Sequence, residues 1–319
     1  MKTGLLLLNL GGPDTLDGIR PFLTRLFTDR EIIRLPGGSL GQAVIGRMIA
    51  WKRTPEAREN YAKIGGFSPL LRWTTLQGRG VVERLASRGH DVVFAIAMRY
   101  WNPTSAEGLA ELERAGAERI LALTLYPQYS MATTGSSAGE LDRVVKRRGT
   151  KLPIDRIDSW YDHPGYLDAL ALRVRDGLAK FGPDARPTLL VSAHGLPKHF
   201  IDAGDPYCEH IRITMEGLLR RLPDLPYVLG YQSRVGPVEW IGPSTDEVIR
   251  SLAREGVKDV LVVPISFVSD HIETLYEIDL LYGGQARALG ITNFRRMESL
   301  NDFPPFLDAL ADLVEPKLR

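Results

Sequence analysis

Short apolar runs that end in polar or Gly/Pro turns alternate along this chain with longer amphipathic stretches, which predicts strands alternating with helices. The first half carries GLLLLNLGGP, VVFAIAMRYWNP, ILALTLYPQYS and IDRIDSWYDHP; the second carries TLLVSAHGLP, YVLGYQSRVGP, VLVVPISFVSD and FRRMESLNDFP. The runs pair in order. AGAERILALTLYPQYS aligns with EGVKDVLVVPISFVSD, setting Ile120 against Val260, and HPGYLDALA aligns with PPFLDALA, setting Leu167 against Leu307. Both pairs are 140 positions apart, and one offset shared by separate elements marks an internal duplication. Each half reads as β-α-β-α-β-α-β-α, an α/β fold of two parallel sheets flanked by helices. The linker-like FGPDARP, residues 181–187, predicts domains at 1–182 and 183–319.

The predicted first domain carries an insertion, about 19–75, outside the repeat. Ile19, Phe22, Leu23, Leu26 and Phe27 have amphipathic spacing among Arg20, Arg25 and Arg30. A second apolar helix holds Val44, Ile45, Met48, Ile49 and Trp51 and ends in Lys52 and Arg53; NYAKIGGFSPL follows. Such faces either pack in a core or form a greasy lip resting on a membrane or around a flat anionic ligand.

The most distinctive stretch is PISFVSDHIETLYEID, residues 264–279. Its uncharged start predicts a buried strand end and its acidic continuation a helix. At about 100° per residue, Asp270, Glu273 and Glu277 fall in one narrow arc with His271 beside it, backed by Ile272, Leu275 and Tyr276. Open α/β sheets place their chemistry at strand C-termini, and two-domain proteins place it in the cleft between the halves. Compensation of a helix dipole is a plainer reading, but the matching stretch of the first half, YPQYSMATT, carries no acid.

Composition narrows the function. With 44% hydrophobic and 25% charged residues the chain is ordinary for a globular protein. Forty basic against 39 acidic residues leave a net charge of +1, which speaks against nucleic-acid binding. The single cysteine, Cys208, excludes an intrachain disulfide or a four-cysteine cluster and fits a reducing cytoplasm. The apolar run from Leu5 to Leu8 is short for a signal peptide, and no run approaches the roughly 20 residues that span a bilayer. The expected location is the cytoplasm, with peripheral contact at the inner face of the membrane.

Familiar motifs fail. LLLLNLGGP does not make G-x-G-x-x-G, no P-loop occurs, and Ser192 lacks the G-x-S-x-G elbow. A divalent-metal site fits better, because borderline ions accept imidazole and carboxylate, and an incomplete ligand set leaves positions open for exchange. His194 follows a strand at a Gly/Pro turn; His90, His163, His199 and His210 read as structural.

LLLLNLGGPDT, YAKIGGFSP, YPQYSMATTGSS, SAHGLP, GDPY, YQSRVGPVEWIGPSTDE and PISFVSDHIETLYEID together resemble the ferrochelatases, in order along nearly the whole chain. GGPDT and DHIETLYE are closer to the protoporphyrin-using branch. The resemblance implies two flavodoxin-like domains enclosing a porphyrin cleft. It implies insertion of ferrous iron into protoporphyrin IX, with release of two protons, as the terminal step of haem biosynthesis. It makes His194 and Glu273 the catalytic and metal-contacting pair, with Asp270, His271 and Glu277 continuing a proton or metal path. Arg53, Tyr61, Ser68, Arg99, Tyr126 and Trp240 match porphyrin-binding positions; Tyr231 stands where relatives often have tryptophan. Iron is then a substrate, no permanent cofactor or iron–sulfur cluster is expected, and the protein is expected to be a monomer. Whether His194 ligates metal or only accepts protons stays open. The alternatives are a chelatase for another divalent metal and tetrapyrrole, or a non-catalytic porphyrin or haem carrier.

Overall fold

The computed structural model describes residues 1–318 except Val235 and Pro237; these two, in the motif YQSRVGPVEWIGPSTDE, lie outside the described residues. In chain order the elements are β1 (Thr3–Asn9), α1 (Ile19–Phe27), α2 (Gly38–Ala62), α3 (Leu70–Ser87), β2 (Val92–Met98), α4 (Ser105–Arg114), β3 (Arg119–Thr124), a π-helical turn (Met131–Gly135), α5 (Ser136–Arg148) and β4 (Ile154–Ile157). There follow α6 (Pro164–Leu178), β5 (Thr188–His194), α7 (Lys198–Asp202), α8 (Tyr207–Leu219), β6 (Tyr227–Gln232), α9 (Thr245–Arg254), β7 (Asp259–Pro264), a π-helix (Glu273–Tyr282), α10 (Gly283–Ala288), β8 (Asn293–Arg296) and α11 (Pro304–Val314).

Among the described residues the strands form two four-stranded sheets, β2-β1-β3-β4 and β6-β5-β7-β8, parallel throughout. This is the doubly wound order in which the first strand sits centrally. Helices cover both faces of such a sheet, so its central strands read as continuous apolar runs; β1, TGLLLLN, is buried along its length. The duplication is visible in detail. α4 and α9 lie 140 positions apart, and each starts with a capping box, Thr104 with Glu107 and Ser244 with Glu247.

Packing divides the chain into two compact units, Met1–Ser159 with Leu310–Arg319, and Trp160–Ala309. The division therefore falls earlier than the join read from the repeat, because α6 packs with the second unit. Trp160 meets Tyr166 edge-on at 5.0 Å and Phe306 at 6.0 Å, and the Tyr166 hydroxyl donates to the Ile265 carbonyl at 3.1 Å. Gly177 and Gly217 allow close approach: an added Cβ would meet Leu261 at 3.0 Å and Leu167 at 2.6 Å. In the first unit, Arg88 holds Asp312 and Glu315 at 2.7 and 2.8 Å.

The two apolar helices of the insertion differ in burial. α1 turns Ile19, Phe22, Leu23 and Phe27 inward, so its face is core. α2 leaves Leu40, Val44, Met48 and Trp51 between 51% and 77% exposed, and their spacing of three to four residues sets them on one helical face. After α2 the chain turns through Gly65 and Gly66, at φ +104° and +88°, where a side chain would be strained. This returns Ser68 to the end of β1, its amide donating to the Pro13 carbonyl at 2.7 Å.

Candidate active site

His194 and Gln232 are register partners at the C-terminal ends of β5 and β6. The His194 main chain is fixed on both sides: its N–H donates to Ser266 Oγ at 3.2 Å, and its carbonyl accepts from the Tyr207 hydroxyl at 3.0 Å. The ring Nδ1 faces the Gly195 carbonyl at 2.5 Å. A carbonyl only accepts, so Nδ1 carries the hydrogen and neutral His194 presents a bare lone pair at Nε2. That Nε2 stands 3.6 Å from Glu273 Oε2. His271 repeats the arrangement, with Nδ1 on the Ser269 carbonyl at 3.1 Å and Nε2 4.0 Å from the same Glu273 oxygen. Phe267 packs against both rings, at 6.0 and 4.2 Å.

Glu273 is held by neutral donors as well. Ser192 donates to Gln232 Oε1 at 2.7 Å, which turns the Gln232 amide nitrogen toward Glu273 Oε2 at 3.3 Å. Ser233 Oγ lies 3.0 Å from Glu273 Oε2 and 2.6 Å from Glu277 Oε2. Glu277 Oε1 accepts from the Ser233 amide at 2.8 Å and from the Tyr282 hydroxyl at 3.0 Å. Ser233 achieves this with φ at +64°, unusual for a residue with a side chain.

The two glutamates are driven in opposite directions. Burial alone would raise the pKa of Glu273, but His194 and His271, in their protonated forms, and the hydrogen bonds from Ser233 and Gln232 outweigh it and hold the carboxyl below its ordinary value. Glu277 is pushed up, first by burial and then by the charge of Glu273. His271 is pushed down by burial, which favours its neutral form.

The expected acidic arc is only partly realised. Glu273 and Glu277, four residues apart on the π-helix, both reach Ser233, but Asp270 precedes the helix and turns elsewhere. Its Oδ1 accepts from Arg296 Nη1 at 3.0 Å and Ser299 Oγ at 2.7 Å, and its Oδ2 from Asn301 at 2.8 Å. The apolar back also differs: Ile272, Leu275 and Tyr276 are half-buried, whereas Thr274 and Ile278 are fully buried. Burial would raise the Asp270 pKa; Arg296, Asn301 and Ser299 reverse the shift and lower it. A carboxyl with a depressed folded pKa adds stability above its unfolded pKa near 3.9, and that stability is lost as pH falls through the folded value. Asp270→Asn is therefore expected to cost about 1–3 kcal/mol at neutral pH. In urea titrations the gap to wild type should close below about pH 4; a gap unchanged at about pH 3 refutes the assignment.

Other predicted residues lie as follows. Trp240 packs beside Gly195, the residue after His194: a Cβ on Gly195 would meet its ring at 3.2 Å. In the first unit, Tyr61 and Ser68 gather at Gly12, where an added Cβ would stand 2.5 Å from Ser68 Oγ and 3.8 Å from the Tyr61 hydroxyl. Arg99 is anchored rather than free, donating to Asp29 Oδ2 at 2.6 Å and Ser136 Oγ at 2.8 Å. Burial pushes the Tyr126 phenol up, and Arg53 is half-buried on α2. Among the described residues, no group of three or more His, Cys, Asp or Glu side chains is arranged to hold a metal ion. Ser192, Tyr207, Ser266 and Tyr282 support the site without having been predicted in it, whereas Gln232 and Ser233 are expected there from their place at a strand end.

A family model, ferrochelatase, matches residues 2–318. The chain belongs to the ferrochelatase family. Among ferrochelatases, those of Geotalea uraniireducens and Gloeobacter violaceus are 49% and 45% identical to it, each covering 98% of this chain and 97% of the relative. Among solved structures, SirB from Bacillus subtilis with Fe3+ shares the fold, with a TM-score of 0.60 at 14% identity, covering 100% of this chain and 96% of that one. CbiX, described as the terminal enzyme for biosynthesis of sirohaem in denitrifying bacteria, gives 0.51 at 16% identity over the full length of both. A ferrochelatase is a metal-inserting lyase; His194 and the half-buried Glu273 carboxylate lie at and just beyond the C-terminal ends of strands, where α/β folds place their chemistry.

Proposed function

We propose that the protein inserts ferrous iron into protoporphyrin IX, releasing two protons and forming protohaem, with His194 and Glu273 at the reaction centre. The observation that carries this reading is a tautomer-fixed imidazole lone pair 3.6 Å from a half-buried carboxylate whose pKa is held below its ordinary value. Metalation must strip hydrogens from two pyrrole nitrogens and water from the ion. The Nε2 lone pair of His194 can take such a proton, and Glu273 beside it stabilises the imidazolium that results. Ferrous iron also accepts imidazole nitrogen and carboxylate oxygen, so the same Nε2 can meet either the proton or the ion. Iron is the substrate here, not a resident cofactor. His271 and Glu277 extend the polar chain from Glu273; Asp270, committed to Arg296, is not given a place in it. Arg53, Tyr61, Ser68, Arg99, Tyr126 and Trp240 offer charged, hydroxyl and aromatic groups suited to propionates and ring faces.

Purified protein given protoporphyrin and anaerobic ferrous iron should convert the porphyrin absorption bands to those of haem. Tight porphyrin binding without turnover would instead make it a carrier, and faster insertion of cobalt or nickel into another tetrapyrrole would change the substrate.

The exposed stripe of Leu40, Val44, Met48 and Trp51, flanked by Arg47 and Lys52, supports peripheral contact with an anionic membrane face. Among the described residues, no helix is long and apolar enough to cross a membrane. Met48→Glu with Trp51→Glu is expected to lower binding to phosphatidylcholine/phosphatidylglycerol vesicles by about tenfold or more. Absence of flotation by the wild-type protein would rule this contact out.

A further inference from the structure

Rings of i→i+5 bonds are rare beyond a single turn, yet Glu273–Tyr282 runs ten residues, and no side chain caps its start at Ile272. Something outside the helix must hold it. Arg296, the last residue of β8, has a side chain only 9% exposed and is placed by pairing with Val262 of β7. Its Nε and Nη2 donate to the two oxygens of Asp279, inside the π-helix, each at 2.9 Å. Its Nη1 donates at 3.0 Å to Asp270, just before the helix, and also lies 3.1 Å from Ser299 Oγ and 3.2 Å from the Met297 carbonyl. Asp270 is gripped from behind, since Asn301 accepts its backbone N–H at 2.9 Å and donates to its carboxylate. One planar guanidinium thus fixes two points that bracket Glu273 and Glu277.

We propose that Arg296 is a positioning residue for metal insertion: it clamps Asp270 and Asp279 to the sheet, so that Glu273 and Glu277 stay aligned on Ser233 and Glu273 stays facing His194. Arg296 touches no reacting atom, and Asp270 serves as a jaw of the clamp rather than as a carrier of protons or metal. The role needs the fork of an arginine. A lysine keeps the charge but cannot bind one carboxylate through two parallel N–H groups while donating to a second. The proposal rests on Glu273 as the reaction-centre carboxylate.

The test compares full-length wild type, Arg296→Lys, Arg296→Met, Asp270→Asn and the Arg296→Lys/Asp270→Asn double variant. Steady-state insertion, circular dichroism and hydrogen exchange of residues 273–282 are measured on each. Arg296→Lys should fold and lose about 10–100-fold in kcat through misplacement of the glutamates, with KM for porphyrin little changed. Amides of 273–282 should exchange about tenfold faster or more as the helix loosens. Adding Asp270→Asn to Arg296→Lys should cost less than the sum of the two single losses, because they share the Arg296–Asp270 contact. Wild-type kcat and wild-type exchange in Arg296→Lys would overturn the clamp. So would an Asp270→Asn protein that loses turnover while 273–282 stays protected, the result expected if Asp270 itself carries protons or metal. Should Arg296→Met fail to fold, the lysine variant decides. Should wild type fail to insert iron, the function above falls, and the exchange measurement still decides whether Arg296 holds the helix.

Discussion

Replacing His194 by alanine is expected to lower iron insertion by about 10²–10⁴-fold, the range spanned by positioned acid–base groups, without unfolding the protein. The segment is held by its main chain, through Ser266 and Tyr207, so the imidazole is not what keeps β5 in place. The side chain is 38% exposed, and its truncation opens no closed cavity; a stability change within about 1 kcal/mol follows. What disappears is the Nε2 lone pair, which the Gly195 carbonyl keeps free of hydrogen. Anaerobic steady-state rates together with a denaturation curve check both halves of the expectation. Activity near that of wild type would remove His194 from the reaction centre; loss of the folded state would show that its role is structural.

Much of this frame could be read from the sequence. The alternation of apolar runs gave the strands, and the shared spacing of 140 positions foretold two parallel four-stranded sheets. Strand ends could then be found by counting, which located His194, Gln232 and Ser233 together. Less legible are the residues whose partners are distant. A helical wheel drawn from Asp270 assumes that the helix has already begun; Asn301 and Arg296, from the far side of β8, decide otherwise. Arg99 is tied to Asp29, 70 positions away, and nothing local announces it. α1 and α2 both carry apolar residues among basic ones but with opposite burial, because an apolar run does not say what covers it. Similarly, α6 reads as the end of the first repeat, yet its contacts to α8 and β7 place it in the second unit. The left-handed backbone at Ser233 has no glycine to reveal it.

The two glutamates should separate sharply under the same substitution. Glu273→Gln is expected to lower kcat by about 10²–10³-fold, since it removes the ionised partner of His194, whereas Glu277→Gln should cost less than about tenfold. The reason is a count of hydrogens. Ser233 Oγ has one hydrogen and two carboxylates within reach, so both contacts are met when one carboxyl is protonated and donates in return, and burial together with the neighbouring charge of Glu273 favours the proton on Glu277. Glutamine at 277 meets every contact of that protonated acid: its amide nitrogen donates to Ser233 Oγ, and its oxygen accepts from the Ser233 amide and Tyr282. A raised folded pKa means that the native state holds its proton more tightly than the unfolded chain. The stability this contributes is complete below the unfolded pKa and is lost as pH rises through the folded one. Glu277→Gln, which cannot ionise, escapes that loss, so its stability relative to wild type should grow as pH rises from the ordinary carboxylate value of about 4.3 towards neutrality. Urea denaturation across that interval measures it. A stability difference that shrinks with rising pH, or a larger rate loss for Glu277→Gln than for Glu273→Gln, would place the proton on the other carboxylate and reverse their roles.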